Sequence, residues 1–252
     1  MNHYLFSSEY NDNSLSNNTT MLIIMLFVTV FLIYKTYQTS VTNKTFIINI
    51  YLYVLVALLF VAIMGKRAES SNITNPNNVW NMAILYIILG FGGIFMMTKD
   101  KFFVNHIGFL LLLLALSLTT GLSYRNSINV VRTATITAII MAVLTIGVFA
   151  TSEESLIKMK NWLPKLSWML LGLILVELGY IFMFDNSSTL PNIISSSIVI
   201  LFIFFMLSDT SRLLLESKNL KCKTHECVNY PLKSTSLILN YVNIFTGLLE
   251  HK

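Results

Sequence analysis

Eight apolar stretches dominate this 252-residue chain and leave little sequence between them. Only 12% of the residues are charged, whereas soluble domains carry about 25% charged residues. A membrane-spanning helix needs about 20 predominantly apolar residues. The stretches that meet or approach this length are 21–37, 45–64, 80–97, 105–122, 129–150, 166–184, 193–212 and 232–249. The sequence therefore predicts an all-α, polytopic transmembrane helix bundle.

The polar segments are too short to fold as separate domains. We expect a polar tail at 1–20, an anchor helix at 21–37 and one membrane bundle over 45–249, with a polar connection at 213–231. The last stretch, 232–249, is the most polar of the eight. A re-entrant segment packed against the bundle is therefore an alternative to a full crossing there.

Membrane topology explains the net charge of +5 better than an affinity for nucleic acid, which is not an expected partner. If the eight stretches alternate in direction, 12 of the 17 Lys and Arg residues fall on one side. The positive-inside rule makes that side the inner one and places both termini outside. The inner residues are Lys35, Lys44, Lys99, Lys101, Lys158, Lys160, Lys165, Arg212, Lys218, Lys221, Lys223 and Lys233.

Few ionisable side chains fall inside the apolar stretches, and such residues are candidate functional positions. Asp209 lies near the end of 193–212, where an uncompensated carboxylate costs several kcal/mol. Glu177 lies about 16 Å from the inner end of its stretch, close to the middle of the bilayer. Arg132, near the outer end of its own stretch, is long enough to reach Glu177. The alternatives are an ion pair that only supports packing and an Arg132 that extends outward to water.

Cys222, His225 and Cys227 form a second candidate cluster, in the connection at 213–231. Structural zinc normally takes four ligands, and this cluster offers three. Free thiols are therefore the favoured interpretation, and no resident cofactor is expected. His106 begins its apolar stretch and is expected at the membrane interface.

We expect no enzymatic activity. An aspartyl intramembrane protease requires two carboxylates that share one site, and Asp209 is the only Asp within the apolar stretches. No Lys lies mid-span to carry a retinal, His106 is poorly placed for a serine protease, and no His-Glu-x-x-His is present. Gly90-Phe91-Gly92-Gly93 lies inside an apolar stretch with no preceding strand, which favours close helix packing over a nucleotide loop.

Several short motifs occur in the order seen in one known family. Asp209-Thr210-Ser211-Arg212 closes an apolar stretch, and Gly121-Leu122-Ser123 ends an earlier one. Thr-Ala, Leu-Thr and Thr-Ser pairs follow one another within 137–152, and Ser-Leu-Ile-Leu-Asn-Tyr-Val-Asn-Ile-Phe occupies 236–245. Together, over about 45–249, these motifs resemble the Bax-inhibitor family, the transmembrane BAX inhibitor motif proteins.

The resemblance implies a seven-helix core, to which 21–37 adds an extra N-terminal transmembrane helix. It also implies a calcium or cation leak that responds to pH and suppresses cell death. The family's site is a pair of aspartates on the last two helices, and these positions correspond here to Asp209 and Asn240. The expected ion pathway comprises Asp209, Asn240, Asn243, Thr210, Glu177 and Arg132.

The change from Asp to Asn at position 240 predicts altered pH sensing, because an amide does not titrate. Asn240 and Asp209 lie at similar depths, so contact is expected whether the amide donates to an ionised carboxylate or accepts from a protonated one. With Asn243 and Thr210 they would form a poor stable calcium site, which leaves transient coordination.

The implied partners are the lipid bilayer and calcium ions, with other membrane proteins as further candidates. The implied location is an endomembrane, such as the endoplasmic reticulum or Golgi, or a viral membrane. The alternative is a structural or interaction protein of a membrane, for example a viral one, without transport activity.

Overall fold

The computed structural model describes residues 7–69, 79–99, 101–125, 130–183 and 189–250. Regular structure in these ranges is entirely helical, which confirms the predicted all-α fold. The helices are α1 (Ser7–Tyr37), α2 (Asn43–Glu69), α3 (Val79–Met97), α4 (Phe102–Arg125), α5 (Val130–Phe149), α6 (Glu153–Lys160), α7 (Leu163–Met183), α8 (Thr189–Lys218) and α9 (Tyr230–Glu250). A short 3₁₀ turn, His225–Cys227, lies between α8 and α9.

Six helices in the described ranges are long and apolar enough to cross a membrane. These segments are Thr20–Tyr37, Asn43–Glu69, Trp80–Met97, Phe102–Leu122, Arg132–Phe149 and Ser196–Lys218. α7 and α9 are not among them, although each has 21 residues, or about 31 Å at 1.5 Å per residue. The chain is thus a multi-pass membrane protein, and a core of seven spans plus one stays a prediction.

Helical structure extends beyond the predicted apolar stretches at three places. α1 begins at Ser7, and its part that is apolar enough to cross a membrane is Thr20–Tyr37, which agrees with the predicted stretch 21–37. α8 continues past residue 212 to Lys218, so Asp209 lies in the helix interior. The connection at 151–165 contains α6, whose acidic first turn and basic last turn suit the helix dipole.

α9 is the central helix of the bundle, although its sequence is among the least apolar. It packs against α2, α4, α5 and α8. Leu237, Ile238 and Ile244 are at most 1% exposed. The polar side chains of Ser234 and Asn240 are at most 4% exposed, so they face protein instead of lipid, which explains how a weakly apolar helix is stable here. The helix is continuous over its whole length, and both a full crossing and a re-entrant segment stay predictions.

The four basic connections lie together at one end of the bundle, as the charge distribution predicts. Val41 N donates to Lys223 O over 3.3 Å, which joins the α1–α2 and α8–α9 connections. Asn229 Nδ2 donates to Met97 O over 2.7 Å, which joins the α8–α9 connection to the end of α3, next to the α3–α4 connection. α6 attaches to α8 through the Ser208 hydroxyl, which donates to the Met159 carbonyl over 2.8 Å.

α3 and α4 approach each other closely at two glycines. A Cβ atom added to Gly93 would lie 2.6 Å from the Gly108 carbonyl oxygen, and one added to Gly108 would lie 2.6 Å from the Gly93 oxygen. Gly92, by contrast, has no neighbouring atom within 4 Å of such a Cβ. Gly93 therefore serves close helix packing, as the sequence predicts.

Gly93→Ala should destabilise the protein by about 1–3 kcal/mol, because the added methyl group meets backbone atoms that have no room to move. Gly92→Ala is the matched control and should be neutral or slightly stabilising, since Ala favours helix over Gly. Thermal unfolding in detergent, followed by circular dichroism, measures both. Equal melting temperatures for the two variants would contradict the close approach.

Candidate functional site

Asp209 and Asn240 meet in the interior between α8 and α9. The two residues are 3% and 4% exposed. Asn240 Nδ2 donates a hydrogen bond to Asp209 Oδ2 over 2.9 Å, so the expected contact is present. Because the amide is the donor, the carboxylate oxygen acts as an acceptor, which suits the ionised form.

Arg212 is a second partner of Asp209. Its Nη2 atom lies 3.2 Å from Asp209 Oδ1, one helical turn away on α8. The same Nη2 donates to Ser236 Oγ on α9 over 3.3 Å. The Arg212 side chain is 40% exposed and that of Asp209 only 4%, so the guanidinium links the buried carboxylate to the inner surface.

The Arg212 contact is an ion pair without hydrogen-bond alignment, since Asp209 Oδ1 has no hydrogen-bond partner among the described residues. Sequence reasoning did not assign Arg212 to this site, although its i,i+3 spacing from Asp209 is the signal that would have found it. Ser236 gives no comparable signal, because its place depends on how α8 and α9 pack.

Thr210 extends the buried polar region towards α2 and α5. Its hydroxyl is buried beside the Tyr51 hydroxyl but makes no well-formed hydrogen bond within the described part of the chain. The Tyr51 hydroxyl is 3.1 Å from Thr145 Oγ1 on α5. We call Asp209, Asn240, Thr210, Tyr51 and Thr145 the buried polar cluster; it connects four helices, and Tyr51 and Thr145 at its edge are half-buried.

The other predicted pathway residues are not joined to this cluster by any described contact. Asn243 Nδ2 donates to the Leu239 carbonyl of its own helix over 2.8 Å. Arg132 is exposed near the start of α5. The Glu177 side chain lies outside the described residues, and so does any pair between it and Arg132. The proposed roles of these three residues stay predictions.

The Cys–His cluster takes a different form from the one expected. Cys222 and Cys227 are joined as a disulfide, so the expectation of free thiols is wrong. The spacing of two cysteines does not reveal whether the loop between them folds back, and here it does. His225, between them, points towards α2 and α9. No group of His, Cys, Asp or Glu side chains that could hold a metal occurs in the ranges described.

His225 attaches the α8–α9 connection to the inner end of the bundle. The residue is 1% exposed. Its Nδ1 atom lies 3.0 Å from Asn49 Nδ2 on α2 and 2.7 Å from the Tyr230 hydroxyl on α9. Asn49 Nδ2 is a donor only, so Nδ1 accepts and the imidazole is neutral. Burial lowers the pKa of His225 below its ordinary value of 6.5, and a hydrogen bond to the Ser40 backbone partly offsets this effect.

A comparison with protein families identifies the bundle around these sites. The model of a family described as inhibitor of apoptosis-promoting Bax1 matches residues 43–251. The chain belongs to the Bax-inhibitor family. The match begins at the first residue of α2, so it includes the buried polar cluster of this Bax-inhibitor protein and leaves out α1. No curated protein and no solved structure matches the chain.

Asn240→Ala should destabilise this Bax-inhibitor protein by about 1–3 kcal/mol, because it leaves a buried carboxylate oxygen without its donor. Asn243→Ala is the control, because the Asn243 amide bonds only to its own helix and should matter less. Unfolding in detergent measures both variants. A double-mutant cycle with Asp209→Ala should show coupling between positions 209 and 240 and none between 209 and 243.

Protein stability should fall as the pH drops below about 6.5, because the unfolded state then binds a proton on His225 that the folded state resists. The pKa of His225 is lower in the folded state than in the unfolded state. The contribution of His225 to the free energy of unfolding is therefore fully present above pH 6.5 and is lost as the pH falls towards the folded-state pKa. Melting temperatures from pH 8 to pH 5 test this. His225→Gln should flatten the curve relative to the wild type; an unchanged slope would contradict the assignment.

Proposed function

We propose that this Bax-inhibitor protein is a calcium or cation leak that modulates cell death and has altered pH sensing. The observation that carries the proposal is the contact between Asp209 and Asn240, which places a carboxylate in the interior of the bundle, against its central helix. Membership of a family described as inhibitor of apoptosis-promoting Bax1 supports the link to cell death.

Arg212 is the gate in this proposal. Its guanidinium occupies one oxygen of Asp209 but is partly exposed at the inner surface, where water competes for it. When the side chain swings towards water, the carboxylate loses its counter-charge. A cation that enters from the inner side then takes the place of the guanidinium.

The buried polar cluster would then pass a cation without retaining it. Calcium prefers six to eight oxygen ligands, several of them charged. The cluster provides one carboxylate, the Asn240 carbonyl and the hydroxyls of Thr210, Tyr51 and Thr145. So few ligands favour brief coordination during permeation over a stable complex. Glu177, Arg132 and Asn243 are candidates for the outer part of the path.

The pH response should be weaker than that of a protein with two facing aspartates. Two carboxylates at contact distance do not ionise independently, so they titrate as a coupled pair. Asn240 preserves the hydrogen bond but has no proton to exchange. Asp209, which is already paired with Arg212, therefore titrates with pH as a single site.

Calcium efflux from proteoliposomes between pH 5 and pH 8 tests the proposal. Asp209→Asn should reduce efflux at least tenfold at neutral pH, and Asn240→Asp should steepen the pH dependence by restoring the coupled pair. Asn219→Asp is the matched control, since Asn219 is exposed near the end of α8 and its amide bonds to the Leu215 carbonyl of that helix, away from the buried polar cluster. Identical efflux from all four proteins at every pH would refute the pathway.

A structural or interaction protein of a membrane is the second candidate, and one observation favours it. Asp209 already has a cationic partner and an amide donor, which is also the arrangement of a purely structural lock between helices. On this alternative, every variant would give the efflux of empty liposomes, while Asn240→Ala would still lower the melting temperature. The protein would then be sought as a stoichiometric component of purified membranes or particles.

A further inference from the structure

A cavity of about 480 Å³ lies between α1, α2 and α4, away from the buried polar cluster. Its sides are apolar and include Val30 of α1, Val56 of α2 and Leu110 of α4. One end is different, because Tyr37, Tyr53 and His106 line it. Since α1 precedes the part of the chain that the family model matches, one wall of this cavity is an addition to the family core.

The polar end is a hydrogen-bonded chain with a definite direction. His106 Nδ1 lies 2.8 Å from the Phe102 carbonyl, which only accepts, so Nδ1 carries the proton. In the neutral ring, Nε2 then accepts from the Tyr53 hydroxyl over 2.6 Å. Tyr53 has no second proton, so in its 3.1 Å contact with Tyr37 it accepts from the Tyr37 hydroxyl.

The hydrogen-bonded chain of side chains ends on the Tyr37 oxygen, and this oxygen determines which chemical group of a ligand fits there. The Tyr37 proton is used, whereas its oxygen accepts from no group in the described ranges. A complementary ligand must therefore donate a hydrogen bond. Because the rest of the cavity is apolar, the ligand is a neutral amphiphile with one hydroxyl group at its end.

The depth of the cavity agrees with such a ligand. Tyr37 is the last residue of α1 and follows closely on Lys35, so the polar end lies at the inner membrane interface. Val30 is seven residues earlier, or about 10 Å deeper into the bilayer. The Tyr37 oxygen therefore lies at the depth of lipid hydroxyl groups, and the apolar walls of the cavity lie at the depth of the hydrocarbon core.

The walls favour a rigid, flat ligand over a flexible acyl chain. Aromatic rings pack edge to face there, with Tyr37 5.9 Å from Phe102 and Tyr53 5.8 Å from Phe109 between ring centroids. A rigid ligand loses less conformational entropy against such walls. Lys35-x-Tyr37-x₃-Val41 also matches the reversed form of a short pattern proposed for cholesterol contact. We infer that the cavity between α1, α2 and α4 binds a sterol whose hydroxyl group donates to the Tyr37 oxygen.

Equilibrium binding of radiolabelled cholesterol to the full-length protein in nanodiscs at pH 8 tests the inference. The competitors are cholesterol and its 3-methyl ether, which keeps the oxygen but has no proton to donate. We expect the ether to compete about tenfold more weakly. Tyr37→Phe keeps the ring, should weaken cholesterol binding about tenfold, and should abolish the preference for cholesterol over the ether.

Two further variants separate the hydroxyl contact from the cavity itself. Tyr34→Phe is the matched control, because Tyr34 lines the same cavity but is outside the hydrogen-bonded chain, and it should bind cholesterol as the wild type does. Val56→Trp should fill the cavity and abolish binding of both sterols, with a melting curve to verify folding.

Equal affinity for cholesterol and its ether, or a preference that survives Tyr37→Phe, would overturn the inference. Absence of saturable cholesterol binding would also overturn it, and would leave a lipid acyl chain as the occupant. The comparison of the two sterols on the wild-type protein decides the question even if a variant does not fold.

Discussion

The hydrogen bond from Asn240 to Asp209 joins the central helix of the bundle to the helix that carries its buried charge. Exposure of the polar side chains of α9 to lipid would be unfavourable, and α9 is stable because it packs against four other helices. α8 carries a carboxylate that would be costly in lipid, and it is stable because Asn240 and Arg212 compensate that charge. Each of the two helices therefore depends on the other for its place in the membrane.

Contacts at the inner end support this arrangement. Glu153 of α6 pairs with Lys218 at the end of α8 over 2.6 Å, and Glu216 pairs with Lys233 of α9. His225 holds the α8–α9 connection against α2, where Asn49 also contacts Thr36 of α1. The inner ends of α1, α2, α6, α8 and α9 are thus linked by polar contacts next to the buried carboxylate. Exposed ion pairs contribute little singly, so the buried contacts of Asp209 and His225 matter most.

Much of the fold follows from the sequence, because the membrane permits few alternatives. A long apolar run must form a helix, since lipid offers no partner for its backbone groups. The distribution of Lys and Arg identifies the connections that meet at the inner end, and the family motifs bring Asp209 and Asn240 together. The helix ends are less predictable, because packing beyond the apolar run decides them, as α6 shows where Ser208 bonds to Met159.

The site is predicted less completely than the fold. Arg212 lies three residues after Asp209 in the sequence, but it becomes a partner only because its side-chain rotamer turns it towards Asp209. Ser236 depends on the register between α8 and α9. The disulfide between Cys222 and Cys227, and the turn of His225 towards Asn49, depend on how a short loop folds against the bundle. Local spacing does not encode such contacts between distant segments.

We propose that cations reach the buried carboxylate from the inner side, and labelling of a thiol beside Asp209 measures this access. The sequence has two cysteines, so Thr210→Cys in a Cys222→Ser, Cys227→Ser background carries the one thiol of the protein, next to Asp209. We expect a small water-soluble thiol reagent applied at the inner face to label this cysteine, calcium to slow the labelling, and the attached label to block calcium efflux. A cysteine that is labelled while efflux continues unchanged would contradict it.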